Sequence, residues 1–209
     1  RLMRDLTLEL RRAGSAIHHL DVGGGLGVPY RGADEVPPHP DAYAALVKAA
    51  LGDLEARIYL EPGRMIVGNA GILVTRVLYA KAGAGKRFTI VDAAMNDLLR
   101  PTLYDAYHEV WPVLEERLSG PRTLQDIVGP VCETGDYLAL ERELPAFEPS
   151  DLMAVMTAGA YGAVMSSTYN TRLLVPEVLV DGAAYAVVRP RPSYDDLIGL
   201  DRLPRRLAG

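Results

Sequence analysis

The sequence predicts a protein of the α/β plus all-β class, in which a short βα repeat precedes an antiparallel β domain. In the first 68 residues, helical patterns alternate with short apolar runs that end in Gly-rich or polar loops. From residue 69 onward, short strand-like runs follow one another across turn signals. The best boundary lies between residues 67 and 71, so we predict domains at residues 1–68 and 69–209.

The first domain opens with a helical pattern and a strand. Residues 1–13 repeat leucine every four positions, and Gly14 is a typical residue for ending a helix. Residues 17–22 are predicted as a strand that runs directly into a glycine loop, residues 23–27. Backbone N–H groups in such a loop can approach a phosphate with no side chain in the way. The leucines that share the helix face are Leu2, Leu6 and Leu10.

A second helix and strand repeat this order. The helix is predicted to start with Asp41 as its N-cap and to end at Gly52. A short strand at residues 57–60 then closes on the polar loop of residues 61–64. Functional groups gather at the carboxyl ends of parallel strands, although two strands cannot form a barrel alone. The apolar face of the helix consists of Tyr43, Leu46, Val47, Ala50 and Leu51.

The second domain is predicted to be antiparallel and built from short strands. A turn-rich connection at residues 83–86 joins its first two strands, and Asp181-Gly182 is a strong hairpin signal. These connections favour neighbouring strands that run in opposite directions. The predicted strands are residues 72–80, 88–92, 124–128, 137–140, 152–156, 175–180 and 183–189.

Charge and composition limit the classes of partner. The net charge is −5 and the positive residues are scattered, so a nucleic-acid partner is not expected. No apolar run approaches the roughly 18 residues that a membrane span requires, and no signal peptide is visible. One cysteine excludes an internal disulfide and fits a reducing compartment. We therefore expect a cytoplasmic protein with no membrane partner.

The single cysteine lies beside a carboxylate in a segment that is rich in turn residues. A lone cysteine in an apolar run is usually a small buried hydrophobe. Here Gly129, Pro130 and Gly135 break any regular element, so we expect Cys132 and Glu133 at a turn that can reach a neighbouring site. A thiol that is held next to an acid can serve as a proton donor.

Five sequence blocks, taken together, resemble the carboxyl-terminal part of the diaminopimelate decarboxylases, pyridoxal-phosphate enzymes of the alanine racemase and ornithine decarboxylase fold group. The resemblance implies the last βα units of a pyridoxal-phosphate-binding TIM barrel, followed by a sandwich-like or barrel-like β domain. Thr134 stands where the family usually has serine. The blocks are LDVGGGLG at residues 20–27, EPGR at 61–64, MNDLLRPTLY at 95–104, CETGD at 132–136, and GAYG at 159–162 followed by MSSTYN at 165–170.

The resemblance implies pyridoxal 5'-phosphate as the cofactor and gives roles to residues of this chain. The glycine loop suits the phosphate, and Glu61 matches the acid that pairs with the ring nitrogen. A carboxylate there keeps the pyridinium protonated and so stabilises the carbanion that remains when carbon dioxide departs. The residues that match the cofactor contacts of the family are Gly23, Gly24, Gly25, Glu61, Gly63, Arg64 and Tyr161.

The implied reaction is the decarboxylation of meso-2,6-diaminopimelate to L-lysine. Its substrate carries a distal carboxylate, which suits fork-shaped arginine donors, and a distal ammonium, which suits an acid. The resemblance also implies a homodimer with shared active sites, because Cys132 reaches the site of the partner subunit as the proton donor. The residues that match the substrate contacts are Arg64, Arg100, Tyr104, Glu133 and Tyr161.

The lysine that holds the cofactor covalently in this family lies far upstream of these blocks. Lys48, Lys81 and Lys86 stand on a helix face and in a hairpin turn, and none matches it. We therefore expect a fragment that lacks roughly the first half of its protein and is inactive alone. The four histidines have no metal-ligand spacing, so no metal site is predicted.

Other functions remain open at this level. The closest is another decarboxylase of the same group, acting on a basic amino acid or a carboxylated polyamine. A second is a non-catalytic homologue that dimerises with an active enzyme and regulates it. A third is a β-domain interaction module, which leaves the order of the five blocks unexplained.

Overall fold

The computed structural model describes residues 1–32 and 35–204, so parts of both predicted domains, residues 33–34 and 205–209, lie outside the described residues. In the first part, two strands pair in parallel, with Leu20 opposite Ile58. This arrangement confirms the predicted βα order, although the two strands form no barrel. The elements of this part are α1 (Leu2–Arg12), β1 (His19–Asp21), α2 (Pro40–Leu51), β2 (Arg57–Tyr59) and α3 (Gly63–Val67).

The start of α2 differs from the prediction by two residues. His39, and not Asp41, is the N-cap, and its Nδ1 accepts a hydrogen bond from the Asp41 amide at 3.3 Å. Pro40 is the first helical residue, a position where proline is favoured because its fixed φ suits the helix and its missing N–H needs no partner. Asp41 therefore lies in the first turn of the helix.

The leucine face of α1 is largely exposed. Leu2, Leu6 and Leu10 are 87%, 50% and 38% exposed, whereas Thr7 is buried. The helix is instead held by Arg11, which donates to the backbone oxygens of Ile17 and Leu54. The spacing correctly placed the leucines on one face but gave no information about what covers that face. The small core of this part contains Leu20, Leu51 and Leu54.

The second part is a six-stranded sheet in the order β5-β8-β3-β4-β6-β7. The expectation of a purely antiparallel domain is wrong, because β4 and β6 pair in parallel. Parallel neighbours need a long crossover, and residues 92–121 provide it. The elements of this part are β3 (Leu73–Ala82), β4 (Arg87–Val91), α4 (Arg100–Tyr104), β5 (Val110–Pro112), β6 (Arg122–Val128), β7 (Tyr137–Pro145) and β8 (Leu152–Val155).

The sheet is nearly closed, because its two edge strands approach each other. Arg142 of β7 donates from Nη1 to the backbone oxygen of His108 at 3.0 Å. Its guanidinium also lies 3.7 Å from the centroid of the Tyr107 ring. This closure gives the mixed sheet a barrel-like form. Its core includes Val77, Val91, Leu98, Ile127, Leu138, Phe147, Met153 and Val155.

The carboxyl-terminal region contains the predicted hairpin, which turns at Gly182 with a φ of +56°. Its strands, β9 (Glu177–Asp181) and β10 (Ala184–Arg189), form a separate two-stranded sheet. A short helix, α5 (Tyr194–Ile198), follows and begins with a capping box between Ser193 and Asp196. Across the described ranges, no helix is long and apolar enough to cross a membrane.

A glycine contact joins the two parts of the chain. The amide of Gly159 donates to the backbone oxygen of Gly68 at 3.0 Å, and the amide of Ala158 donates to that of Gly71 at 2.7 Å. A Cβ atom on Gly159 would lie only 1.9 Å from the backbone oxygen of Val67. The loop after β8 can therefore sit against the end of α3 only because this residue has no side chain.

A buried histidine fixes α4 against the sheet. His108 has no exposed surface, and its ring nitrogens lie 2.8 Å from the Met156 oxygen and 2.9 Å from Nη1 of Arg100. Burial lowers the pKa of His108 to about 4, and the positive charges of Arg100 and Arg142 act in the same direction. The imidazole is therefore neutral at pH 7.

The contact at Gly159 predicts a large cost for Gly159→Ala. The added Cβ would force backbone atoms apart, so we expect the free energy of unfolding to fall by about 2 kcal/mol or more. Gly63→Ala is the matched control, because a Cβ there meets no atom within 4 Å. Urea unfolding measures both changes, and equal losses in the two variants would contradict this account.

The buried imidazole predicts a pH dependence of stability. Since the pKa of His108 is about 4 in the folded state and about 6.5 when unfolded, the unfolded state binds the proton first as the pH falls. The free energy of unfolding should be independent of this group above about pH 6.5 and should drop by up to about 3 kcal/mol as the pH approaches 4. His108→Gln should remove this part of the slope in urea titrations at each pH. Parallel pH profiles for wild type and variant would refute the prediction.

Candidate active site

The glycine loop and Glu61 lie side by side at the carboxyl ends of β1 and β2. The Glu61 amide donates to the Gly23 oxygen at 2.9 Å. A Cβ on Gly24 would lie 2.2 Å from the Glu61 oxygen, and Gly25 has a left-handed φ of +88°. Two of the sequence blocks are thus brought together by backbone contacts that only glycine allows.

The glycine loop contains amide donors without an acceptor in the part of the chain that the structure describes. The Gly23 amide donates to Oδ1 of Asp21 at 2.8 Å. The amides of Gly24 and Gly25 have no acceptor among residues 1–32 and 35–204. A Cβ on Gly23 or Gly25 would meet no atom within 4 Å. Two adjacent amides without an acceptor, in a loop where no side chain intervenes, fit an anionic group such as a phosphate.

Arg64 and Tyr161 meet beside this loop. The Arg64 guanidinium lies 5.6 Å from the ring centroid of Tyr161 and 5.9 Å from that of Tyr30. Tyr161 follows the loop at Gly159 that packs against the end of α3. The contact of Gly159 with the α3 region therefore brings Tyr161, which follows β8, next to Arg64, which follows β2.

Arg100, which belongs to the part of the chain that contains the six-stranded sheet, also lies against Tyr30. It lies on α4, is 6% exposed, and its guanidinium is 4.9 Å from the ring centroid of Tyr30. No carboxylate lies within 4 Å of Arg64 or Arg100 in the part of the chain that the structure describes. A buried cation without an opposite charge is costly, so these two arginines are suited to an anionic ligand.

Tyr104 and Gly63 lie on the same short helices as Arg100 and Arg64. Tyr104 ends α4 one turn after Arg100, and 61% of it is exposed. Its hydroxyl has no hydrogen bond to the described residues, so it is available to a ligand. Gly63 opens α3 next to the Glu61 loop, and a Cβ there would meet nothing within 4 Å. Both positions leave free space at the site.

Cys132 is exposed, as its Gly-rich and Pro-rich surroundings predicted. A buried carboxylate shapes its loop. Asp136 accepts hydrogen bonds from the amides of Val131 at 2.6 Å and Met95 at 2.7 Å. Thr102 of α4 donates from Oγ1 to the Gly135 oxygen. The loop that carries Cys132 is therefore held firmly against the segment containing α4.

Glu133 is exposed and has one side-chain partner among the described residues. The Tyr169 hydroxyl donates to its Oε2 at 3.2 Å, and this hydrogen bond together with the negative charge raises the pKa of that hydroxyl. No hydrogen bond or ion pair connects Cys132 or Glu133 with Arg64 or Arg100 within residues 1–32 and 35–204. The predicted site residues thus form two groups: the glycine loop with Glu61, Arg64, Arg100 and Tyr161, and the Cys132–Glu133 loop.

The lysines of the chain lie elsewhere. Lys86 pairs with Asp126 at 2.7 Å, and Lys81 lies 5.6 Å from the Phe88 ring centroid. Lys48 is in the last turn of α2. Within the described ranges, no group of three potential metal-binding side chains comes together.

Sequence reasoning missed three residues that organise the two groups. Tyr30 lies against both Arg64 and Arg100, His108 contacts Arg100, and Asp136 shapes the cysteine loop. Asp136 stood in a block that the sequence analysis had singled out. Tyr30 and His108 carried no local signal, because their roles depend on contacts between distant segments.

The chain matches known proteins over most of its length. It is 48% identical to the diaminopimelate decarboxylase of Zymomonas mobilis over 93% of this chain and 45% of the relative. It is 52% identical to that of Pseudomonas aeruginosa over 88% of this chain and 43% of the relative. The chain therefore spans less than half the length of these curated relatives.

A solved structure shows the same similarity. The crystal structure of diaminopimelate decarboxylase from Helicobacter pylori, complexed with L-lysine, superposes with a TM-score of 0.84 at 39% identity. The match covers 94% of this chain and 48% of that one. Residues 17–159 match the family model described as pyridoxal-dependent decarboxylase, C-terminal sheet domain. The chain therefore belongs to the pyridoxal-dependent decarboxylase family and contains its C-terminal sheet domain.

Proposed function

We propose that this chain forms the carboxyl-terminal part of a diaminopimelate decarboxylase, which converts meso-2,6-diaminopimelate to L-lysine and carbon dioxide. The observation that carries the proposal is that Arg64 and Arg100 both lie against the Tyr30 ring and neither has a carboxylate partner among the described residues. A substrate with a second carboxylate supplies the missing negative charge. The names of the relatives agree with this substrate.

The domain division follows from the same proposal. Residues 1–68 would contribute the last βα units of the barrel that binds the cofactor, and residues 69–209 would form the β domain with substrate and dimer contacts. The parallel pair of β1 and β2, with the glycine loop and Glu61 at one edge, supports the first assignment. The chain provides no site lysine, so we expect the covalent attachment point in the part of the relatives that it does not cover.

The residues around the glycine loop fit pyridoxal 5'-phosphate. When bound, this cofactor withdraws electrons from the bond that is broken. The free amides of the glycine loop would hold the phosphate, and the Glu61 carboxylate would keep the ring nitrogen protonated. Gly63 leaves room for the cofactor, while Arg64 and Tyr161 close the site next to it.

The distal end of the substrate would be held by charge. Arg64 and Arg100 would bind its carboxylate through fork-shaped donors, with the Tyr104 hydroxyl beside them. Because Arg100 is nearly excluded from water, its attraction for an anion is less screened than at the surface. Glu133, which is oriented by Tyr169, would pair with the distal ammonium.

The proton step is assigned to Cys132. After carbon dioxide leaves, the carbon that carried it must receive a proton, and Cys132 Sγ–H would donate it. The Cys132–Glu133 loop is exposed, and it makes no hydrogen bond with Arg64 or Arg100 of the same chain in the described ranges. This separation supports a homodimer in which each subunit supplies the cysteine loop to the arginine group of the other.

Substitution of Arg100 tests the substrate. In a protein that carries this chain together with the part its relatives have in addition, Arg100→Gln should raise KM for meso-diaminopimelate at least about tenfold, because a charge-assisted hydrogen bond in a buried site is lost. Activity on ornithine, which has no distal carboxylate, should change much less. Arg189→Gln, on the exposed hairpin, is the control. Release of labelled carbon dioxide measures the activity of wild type, Arg100→Gln and Arg189→Gln on both substrates. A wild type that prefers ornithine would overturn the assigned substrate.

Mixed dimers test the shared site. Cys132→Ala should lower kcat about 100-fold through loss of the proton donor. Cys132→Ala and Arg100→Gln subunits are unfolded, refolded together and assayed at substrate well below KM, where Arg100→Gln sites are weak. They should recover about a quarter of wild-type activity above the residual activity of the Arg100→Gln dimers, since half of the dimers are mixed and each mixed dimer has one intact site. No recovery, with mixed dimers verified by mass, would mean that Cys132 serves its own subunit.

A further inference from the structure

His108 makes two side-chain hydrogen bonds that fix its proton. Nδ1 lies 2.8 Å from the backbone oxygen of Met156, which can only accept, so Nδ1 carries the hydrogen. Nε2 lies 2.9 Å from Nη1 of Arg100, which can only donate, so Nε2 is the acceptor. Both contacts are satisfied by the same neutral tautomer, and no other protonation state satisfies both.

A neutral acceptor is an unusual partner for a buried arginine. Buried guanidiniums are generally paired with carboxylates, and such a pair would cancel the charge that a substrate carboxylate needs. The imidazole orients the guanidinium through one hydrogen bond and leaves its full charge in place. The pKa of His108, lowered to about 4 chiefly by burial, keeps the ring uncharged at pH 7.

The imidazole is itself held from several sides. The Tyr30 ring meets it edge-on, with centroids 5.4 Å apart and planes at 86°. Arg142 of β7 donates to the backbone oxygen of the same histidine at 3.0 Å. These contacts fix both the ring and the main chain, so the position of Nε2, and through it that of Arg100, is set by the closed sheet.

We propose that His108 is a positioning residue that holds Arg100 in the orientation required by the distal carboxylate of the substrate, while leaving the arginine charge uncompensated. The inference rests on the proposed function and extends it from the ligand contacts to the residue behind them. In this proposal, His108 does not contact the substrate and acts only through Arg100. Its effect should therefore be confined to ligands that carry the distal carboxylate.

Two neutral variants separate the two hydrogen bonds, both made in a protein that carries this chain together with the part its relatives have in addition. In His108→Asn, the short amide side chain can replace Nδ1–H towards Met156 but does not reach Arg100. In His108→Gln, the longer side chain can place its oxygen near the position of Nε2. We expect His108→Asn to raise KM for meso-diaminopimelate about tenfold with kcat within about twofold, as for the loss of one hydrogen bond to a charged group. His108→Gln should stay within about threefold of the wild-type KM.

Cadaverine, the diamine that corresponds to L-lysine without its carboxylate, is the control ligand. Its inhibition constant should change by less than about twofold in His108→Asn, which a general loss of structure would not allow. L-lysine itself keeps the distal carboxylate, because the carbon dioxide comes from the reacting end, so its inhibition constant should rise together with the KM. A cadaverine inhibition constant that rises together with the KM overturns the proposal. So does a His108→Gln variant that is as impaired as His108→Asn.

A nitrogen-15 NMR spectrum of the wild-type histidine rings decides the tautomer without any variant. We expect a single His108 species with the proton on Nδ1 from about pH 5.5 to about pH 8, above the lowered pKa of the ring. A proton on Nε2 overturns the proposal, whether or not the variants fold. A wild type that releases no carbon dioxide from meso-diaminopimelate overturns the proposed function instead, and the tautomer then still decides whether His108 is the acceptor for Arg100.

Discussion

The burial of the Arg100 guanidinium is the constraint on which the site depends. Removing a cation from water costs several kcal/mol, and the fold recovers only part of this through one neutral acceptor and one aromatic face. The residues that lower the cost, His108 and Tyr30, come from segments on either side of it in the sequence. The remaining cost can be offset by an anion, so the packing of the domain itself favours a negatively charged ligand.

Backbone contacts at glycine residues bring these segments together. The Gly24 contact sets the loop after β1 against Glu61, and the Gly159 contact sets the loop after β8 against the end of α3. In both places the neighbouring atom is a carbonyl oxygen, which cannot move aside as a flexible side chain can. The relative positions of Glu61 and Tyr161 therefore depend on the absence of two Cβ atoms.

Local patterns predicted the parts of the fold whose causes are local. The βα order, the hairpin at Gly182 and the exposure of Cys132 all follow from turn residues and periodicity. The parallel pairing of β4 with β6 does not follow from local patterns, because it depends on which strand lies next to β4 after a long crossover connection. Strand β5 has only three residues and ends in proline, so it carries almost no strand signal. His108 just before it was assigned no role because the four histidines have no metal-ligand spacing, and its contacts with Arg100 and Met156 join distant segments.

The five residues of α4 connect two functions that local sequence would treat separately. Arg100 contacts Tyr30 and His108, while Thr102 holds the backbone of the cysteine loop through Gly135. In the proposed dimer, Arg100 and the cysteine loop of one subunit belong to different active sites. A displacement of α4 would therefore disturb substrate binding in its own subunit and proton donation in the partner. Two buried side chains oppose such a displacement. His108 restrains α4 through its hydrogen bond with Arg100, and Asp136 restrains the cysteine loop through the Val131 amide.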